Sequence, residues 1–199
     1  MPQLYDFELS GNCYKVRLLL SLLDIAYENV AVDLRAGAHK APEYLRINPL
    51  GQVPTLVDGD VVLRDSQAIL IYLARRHGGE SWLPTDAEGL ARVAQWLSSA
   101  ANEIAHGLAA ARGYHLMKRT YIDIEAATAR GHAFLHMLDG HLRQREWLEC
   151  DRPTIADIAC FPYVALAHQG DIALSAYPDV SAWIERMRQL PRFIAMPGL

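Results

Sequence analysis

The sequence predicts an α/β domain followed by an all-α domain, and three observations predict it. A strand, a polar turn and an apolar helix succeed one another from residue 3 to residue 23. Two short apolar runs flank Asp58-Gly59, the strongest short hairpin signal in the chain. Beyond residues 78–85 strand signals vanish and long helical patterns take over.

Taken in order, residues 3–7 read as a short strand and Ser10-Gly11-Asn12 as a polar turn. In the helix that follows, Val16, Leu19, Leu20 and Leu23 fall at i, i+3, i+4 and i+7, and Leu18 and Leu22 add a second apolar strip. Arg17, Ser21 and Asp24 share a polar strip. Two apolar faces imply a helix sandwiched between layers. A β-type run over 27–34, a polar loop over 35–41 and a short helix from Pro42 complete a βαβ unit, whose crossover should be right-handed. Residues 48–71 then form a ββα unit, with a helix over 65–76 capped by Asp65 or Ser66 and stopped at Gly78-Gly79. This closes a first domain at residues 1–78. Helices expected over 87–111, 121–145, 154–168 and 180–189 fill a second domain at 86–199. Pro153-Thr154-Ile155-Ala156-Asp157 has capping-box spacing, Thr to Asp three residues on.

Composition excludes several classes of function. With 19 basic and 23 acidic side chains and no run of like charge, the chain lacks the electrostatic footprint of a nucleic-acid or membrane-surface binder. The start Met1-Pro2-Gln3-Leu4-Tyr5-Asp6 has neither the basic residues nor the apolar stretch of a signal peptide. No apolar run approaches the ~20 residues that span a bilayer. A cytoplasmic location is expected. Cys13, Cys150 and Cys160 are scattered and odd in number, unlike a disulfide framework or a zinc pattern, so reduced thiols are expected.

Three segments could carry chemistry. The turn Ser10-Gly11-Asn12-Cys13 enters a helix N-terminus, where unpaired N–H groups and the helix dipole favour an anion such as a thiolate. Its S-x-x-C spacing mimics a CxxC redox motif, while simple N-capping by Ser10 also accounts for it. Val53-Pro54 opens a strand with a proline. A cis bond there would turn the Val53 backbone outward to pair with an extended peptide, whereas base rates favour trans. Asp65-Ser66 at a helix start offers a hydroxyl and free N–H groups for a carboxylate, beside an acid for an ammonium. Capping alone would also place these two residues there.

These pieces, in this order, resemble the glutathione transferase family, in its bacterial theta-like, Ser-x-Asn form. YDFELSGNCYKVRLLLSLLDI is similar to the family's catalytic loop and first helix, NPLGQVPTL to its cis-proline segment, LRDSQAILIYLARR to the segment that grips the γ-glutamyl end, and PTIADIA to its helical-domain capping box. The resemblance implies a thioredoxin-like first domain, glutathione as co-substrate, a small hydrophobic electrophile as second substrate, a detoxifying transferase activity and a homodimer. Residue by residue, it implies that Ser10 donates a hydrogen bond to the glutathione sulfur, assisted by Asn12. Val53, before Pro54, would pair with the cysteinyl backbone. Asp65 and Ser66 would hold the γ-glutamyl head, and Gln52 and His39 the glycyl carboxylate. Cys13 is a rival nucleophile, since some members form mixed disulfides through a cysteine in this loop. A glutathione-dependent disulfide reductase or peroxidase, and a non-catalytic interaction module, are the alternatives.

Other residues carry weaker signals. His132 and His136 fall on one side of a helix and His141 points away, which argues for a solvated face over a metal site. Tyr114, His115 and Met117 could line an electrophile pocket or serve as core or dimer contacts, and Asn102, Glu103 and His106 could approach the glutathione of either subunit.

Overall fold

The computed structural model describes residues 1–199 throughout. Strand β1 (Gln3–Asp6) leads into helix α1 (Gly11–Leu22), and β2 (Glu28–Ala31) returns parallel to β1, with Leu4 opposite Asn29. Helix α2 (Pro42–Ile47) precedes the antiparallel pair β3 (Thr55–Asp58) and β4 (Val61–Arg64), and α3 (Ser66–Leu73) follows. The strand order is β2-β1-β3-β4. The mixed sheet of a thioredoxin-like domain is therefore present. After it come α4 (Ala87–Ala101), α5 (Glu103–His106), α6 (Leu108–Met117), α7 (Ile124–Leu142), α8 (Ile155–Ala165) and α9 (Pro178–Arg188).

The sandwiched α1 is as the two apolar strips require: it packs against α3 and against α8 of the helical half. Every residue from Cys13 to Leu20 is buried. That includes Arg17, expected on a polar strip. Its guanidinium forms a buried ion pair with Asp6 and donates to the Glu8 carbonyl at 2.9 Å. Arg17 thus ties the helix to the end of β1. Helix α8 is buried almost all round and joins both halves in one core, so its apolar composition serves as a central pillar rather than an amphipathic face.

Several boundaries differ from expectation for physical reasons. The hairpin loop is Gly59-Asp60, because Asp58 still pairs with Val61; the positive φ of 62° falls on Gly59, the position a two-residue loop reserves for glycine. Helix 65–76 keeps α geometry only to Leu73 and widens into a π turn over Ala74–Gly78. The strand over 27–34 shortens to four residues. The helix expected over 87–111 breaks twice, at Asn102 and Gly107. A Cβ on Gly107 would stand 2.9 Å from the Gly131 nitrogen, so the break lets α5 and α6 cross α7 at backbone contact.

Candidate active site

The loop before β3 is held by buried polar groups that leave one residue free. Asn48, 1% exposed, donates to the Gln52 carbonyl at 2.7 Å and to Thr55 Oγ1 at 3.0 Å, and accepts from the Leu50 N–H. Tyr44 Oη also donates to the Gln52 carbonyl, at 2.6 Å. Lys40 Nζ donates to the carbonyls of Leu50 and Gly51. The Val53–Pro54 bond is cis. Neither the N–H nor the C=O of Val53 is hydrogen-bonded within the chain. An unpaired donor and acceptor on one residue form the template for one rung of strand pairing.

Opposite this loop stands the start of α3. Asp65 is its N-cap with φ 77° and ψ 126°, a conformation that costs a non-glycine residue energy and clusters at functional sites. Its Oδ1 accepts from the Gln67 and Ala68 N–H groups at 3.0 and 3.1 Å, and its other oxygen has no partner. Buried Ser66 donates to Gln67 Oε1 at 2.5 Å. Between loop and helix lies a cavity of about 90 Å³, lined by Asn12, Asn48, Leu50, Gln52, Val53, Pro54, Arg64, Asp65 and Ser66. Two larger clefts, about 260 and 310 Å³, lie in the helical half among exposed arginine and acidic side chains and contain none of the residues nominated from sequence.

Six nominated residues therefore share one cavity: Asn12, Gln52, Val53, Pro54, Asp65 and Ser66. Ser10, Cys13 and His39 do not line it. Ser10, half-buried, caps α1: its Oγ accepts from the Cys13 N–H at 3.2 Å, leaving the hydroxyl proton to donate elsewhere. Cys13 is fully buried, and burial, with the Asp6 carboxylate adding, pushes its thiol up to about 12, against the hydrogen bond from Ser10. A thiol so shifted is not a thiolate at neutral pH. His39 sits in a short 3-10 turn with its Nδ1 buried and unpartnered.

Sequence reasoning missed Arg64, Asn48 and Arg112. Arg64 ends β4, lines the cavity and has no carboxylate partner; its place just before Asp65-Ser66 was the available signal. Arg112 reaches the loop from the other half of the chain, donating through Nη1 to the Leu9 carbonyl at 2.9 Å, and no local pattern announces it. The more distant candidates disperse. His132 pairs with the Tyr177 hydroxyl at 2.8 Å and His141 with the Leu148 carbonyl at 2.7 Å. Tyr114 and His115 meet edge to face, and Asn102 donates to Glu103.

The two halves meet tightly at the turn Ser10–Cys13. A Cβ built on Gly11, the first residue of α1, would lie 2.7 Å from Cζ of Tyr163 on α8. Helix propensity alone favours Gly11→Ala by up to ~1 kcal/mol. The ring leaves no room, and overpacking costs roughly 1–3 kcal/mol. Gly11→Ala is therefore expected to lower Tm by several degrees, and pairing it with Tyr163→Leu to recover most of the loss; a Tm raised by Gly11→Ala alone would contradict the contact.

Comparison with known proteins agrees along the whole chain. The family model described as glutathione S-transferase, N-terminal domain, matches residues 4–81, and that of the C-terminal domain residues 105–191. The chain is 35% identical to glutathione S-transferase 3 of Zea mays, covering 96% of this chain and 90% of that one. It is 36% identical to a maleylacetoacetate isomerase of Rhizobium meliloti and 32% to a disulfide-bond oxidoreductase of Escherichia coli, each over 96% of this chain and 92% of the relative. A solved glutathione S-transferase from Pseudomonas fluorescens superposes with TM-score 0.92 at 32% identity, covering 98% of both chains. A second family member from that organism, solved with two glutathione bound, gives 0.84 at 27%, covering 96% of this chain and 89% of that one. With both domains matched in order and identity above 30% over nearly its full length, the chain belongs to the glutathione S-transferase family and is an enzyme of it.

Proposed function

We propose that the chain binds glutathione in the cavity between the Val53 loop and α3 and activates its thiol for attack on small hydrophobic electrophiles. The observation that carries this is Val53, whose N–H and C=O have no partner in the chain and which lines one cavity with Asp65 and Ser66 at the start of α3. The cysteinyl backbone pairs with Val53. The free oxygen of Asp65 takes the γ-glutamyl ammonium, while the hydroxyl and the N–H of Ser66 take the neighbouring carboxylate. Gln52 and the unpaired Arg64, which line the cavity, serve the glycyl carboxylate.

This seats the sulfur toward the N-terminus of α1, where Ser10 donates its hydroxyl proton and Asn12 its amide. A free thiol has a pKa near 8.5, and lowering it by ~2 units requires ~2.7 kcal/mol of preference for the anion. One charge-assisted hydrogen bond contributes roughly 1.5–3 kcal/mol and a helix N-terminus up to ~1. The demand is met without a base. The burial of Cys13 supports a packing role for it, so the nucleophile is the substrate's sulfur. The electrophile approaches from α5 and α6. A cytoplasmic homodimer completes the proposal, supported by exposed Val61 and Val62 on the edge strand β4 and exposed Leu90 on α4.

One observation favours a second reading. Asn12 lines the cavity and Ser10 does not, and the chain resembles a disulfide-bond oxidoreductase along its length. Titration calorimetry with glutathione, followed by product analysis, separates the readings. Binding with conjugates formed from an aryl halide or isothiocyanate is the expected result. Thiols released from a disulfide, without conjugates, would transfer the function to reduction, and no binding would leave a non-catalytic module.

A further inference from the structure

Two buried cations flank the first turn of α1, and neither has an acidic partner. Lys15 is 0% exposed and its Nζ has no hydrogen-bond partner. Arg112 of α6 is 4% exposed; its Nε donates to Gln169 Oε1 at 2.6 Å and Nη1 to the Leu9 carbonyl, and Nη2 has no partner. Tyr163 links them. Its ring lies against Gly11, and Lys15 Nζ stands 5.5 Å from the ring centroid. Lys15 is one turn beyond Gly11 on the same helix face, and both meet the Tyr163 ring.

The groups facing these cations do not neutralise them. Lys15 faces Tyr163 and Cys160 of α8 and Asp65 at the start of α3. The Cys160 thiol is held neutral by burial. Asp65 acts on Lys15 only from beyond ion-pair distance, with one oxygen engaged by two backbone N–H groups. Arg112 faces Tyr163 and forms no ion pair, and Tyr163 is in turn approached by a third cation, Arg119. A charge taken out of water without a counter-charge is costly, and a removed partner is where a ligand's anion belongs. The peptide before Ser10 is meanwhile fixed at both ends, its N–H donating to the Phe7 carbonyl at 2.9 Å and its C=O accepting from Arg112.

We propose that Lys15 and Arg112 form an electropositive floor beneath the first turn of α1 whose counter-charge is the sulfur of bound glutathione, which makes both positioning residues for the thiolate. The inference rests on the glutathione reading above. It is tested by titrating the ultraviolet thiolate absorbance of bound glutathione in wild type, Lys15→Met and Arg112→Gln. Each variant is expected to raise the midpoint by about half a unit to one unit, which means about 3- to 10-fold less thiolate at a pH below it, with KM for glutathione within about twofold and kcat falling. Lys15→Arg keeps the charge and is expected to keep the midpoint.

A purely structural role would move Tm alone. Burial pushes Lys15 down to about 8, below its usual 10.5, so the folded state binds fewer protons between those values and wild-type stability rises with pH across them. Lys15→Met is accordingly expected to raise Tm below pH 8, the gain fading toward pH 10.5, while it weakens the thiolate. Should Arg112→Gln fail to fold, Lys15→Met decides in the same direction. A midpoint unmoved in either folded variant, with glutathione still binding, overturns the inference alone; a wild type that binds no glutathione overturns it together with the proposed function.

Discussion

Ser10→Ala is expected to lower conjugation by roughly 10- to 100-fold near pH 6.5 while leaving the affinity for glutathione almost unchanged. The factor follows from one charge-assisted hydrogen bond of roughly 1.5–3 kcal/mol, equivalent to ~1–2 pKa units on the bound thiol. Affinity is spared because, in the proposed binding mode, Val53, Asp65 and Ser66, which line the cavity, hold the tripeptide at its other atoms. Ser10 has a second task, since its Oγ accepts from the Cys13 N–H at the start of α1. Losing a serine cap to alanine costs ~0.5–2 kcal/mol, but to glycine only a few tenths. Ser10→Gly should therefore weaken the thiolate as strongly as Ser10→Ala with a smaller fall in Tm, which separates the two tasks. A spectroscopic titration of the thiolate checks it. If Asn12→Ala moves the midpoint and neither Ser10 variant does, the activating donor is the amide that lines the cavity.

What the sequence disclosed here is local chemistry, and what it withheld is contact across long separations. The strand-turn-helix at Ser10, the hairpin at Gly59 and the cap at Thr154 are each settled within a few residues, so pattern and turn preference expose them. The breaks at Asn102 and Gly107 are set by the closeness of α7, which no window around residue 107 contains. Arg17 sits at a polar position of its helix, yet Asp6, eleven residues earlier, draws it inward. Lys15 and Arg112 lie too far apart in sequence for either to suggest the other, and only the packing of α8 against α1 brings Tyr163 between them. At the site, Val53, Asp65 and Ser66 were legible because their motifs are contiguous. Arg64 was overlooked beside them because an exposed strand-end arginine is ordinarily just solvated.

Asp157→Ala is expected to cost roughly 3–5 kcal/mol and so to be the most damaging single substitution away from the cavity. Asp157 is fully buried at the third position of α8. Its Oδ2 accepts from the Thr154 N–H at 2.9 Å, closing the capping box, and its Oδ1 accepts from the Leu148 N–H at 3.1 Å and from Trp183 Nε1 at 3.0 Å. Alanine would strand four buried donors at once, the Thr154 hydroxyl among them, contributed by the start of α8, the loop after α7 and the middle of α9. Each buried donor left unmade costs about 1–3 kcal/mol, while alanine also removes a carboxylate that burial disfavours, and the balance lies at the upper end of single-site effects. For a chain of this length ~1 kcal/mol corresponds to about 2–4 °C, so Tm should fall by roughly 6–20 °C. Asp157→Asn keeps one acceptor oxygen and is expected to lose about half as much. Because α8 carries Tyr163 against Gly11, partial loosening of this cap should also appear at the first turn of α1, as a faster exchange of the Asn12 and Cys13 amide protons. Thermal unfolding of both variants checks the order, and an Asn variant as unstable as the Ala one would mean that the carboxylate's charge, rather than its count of acceptors, holds the three segments together.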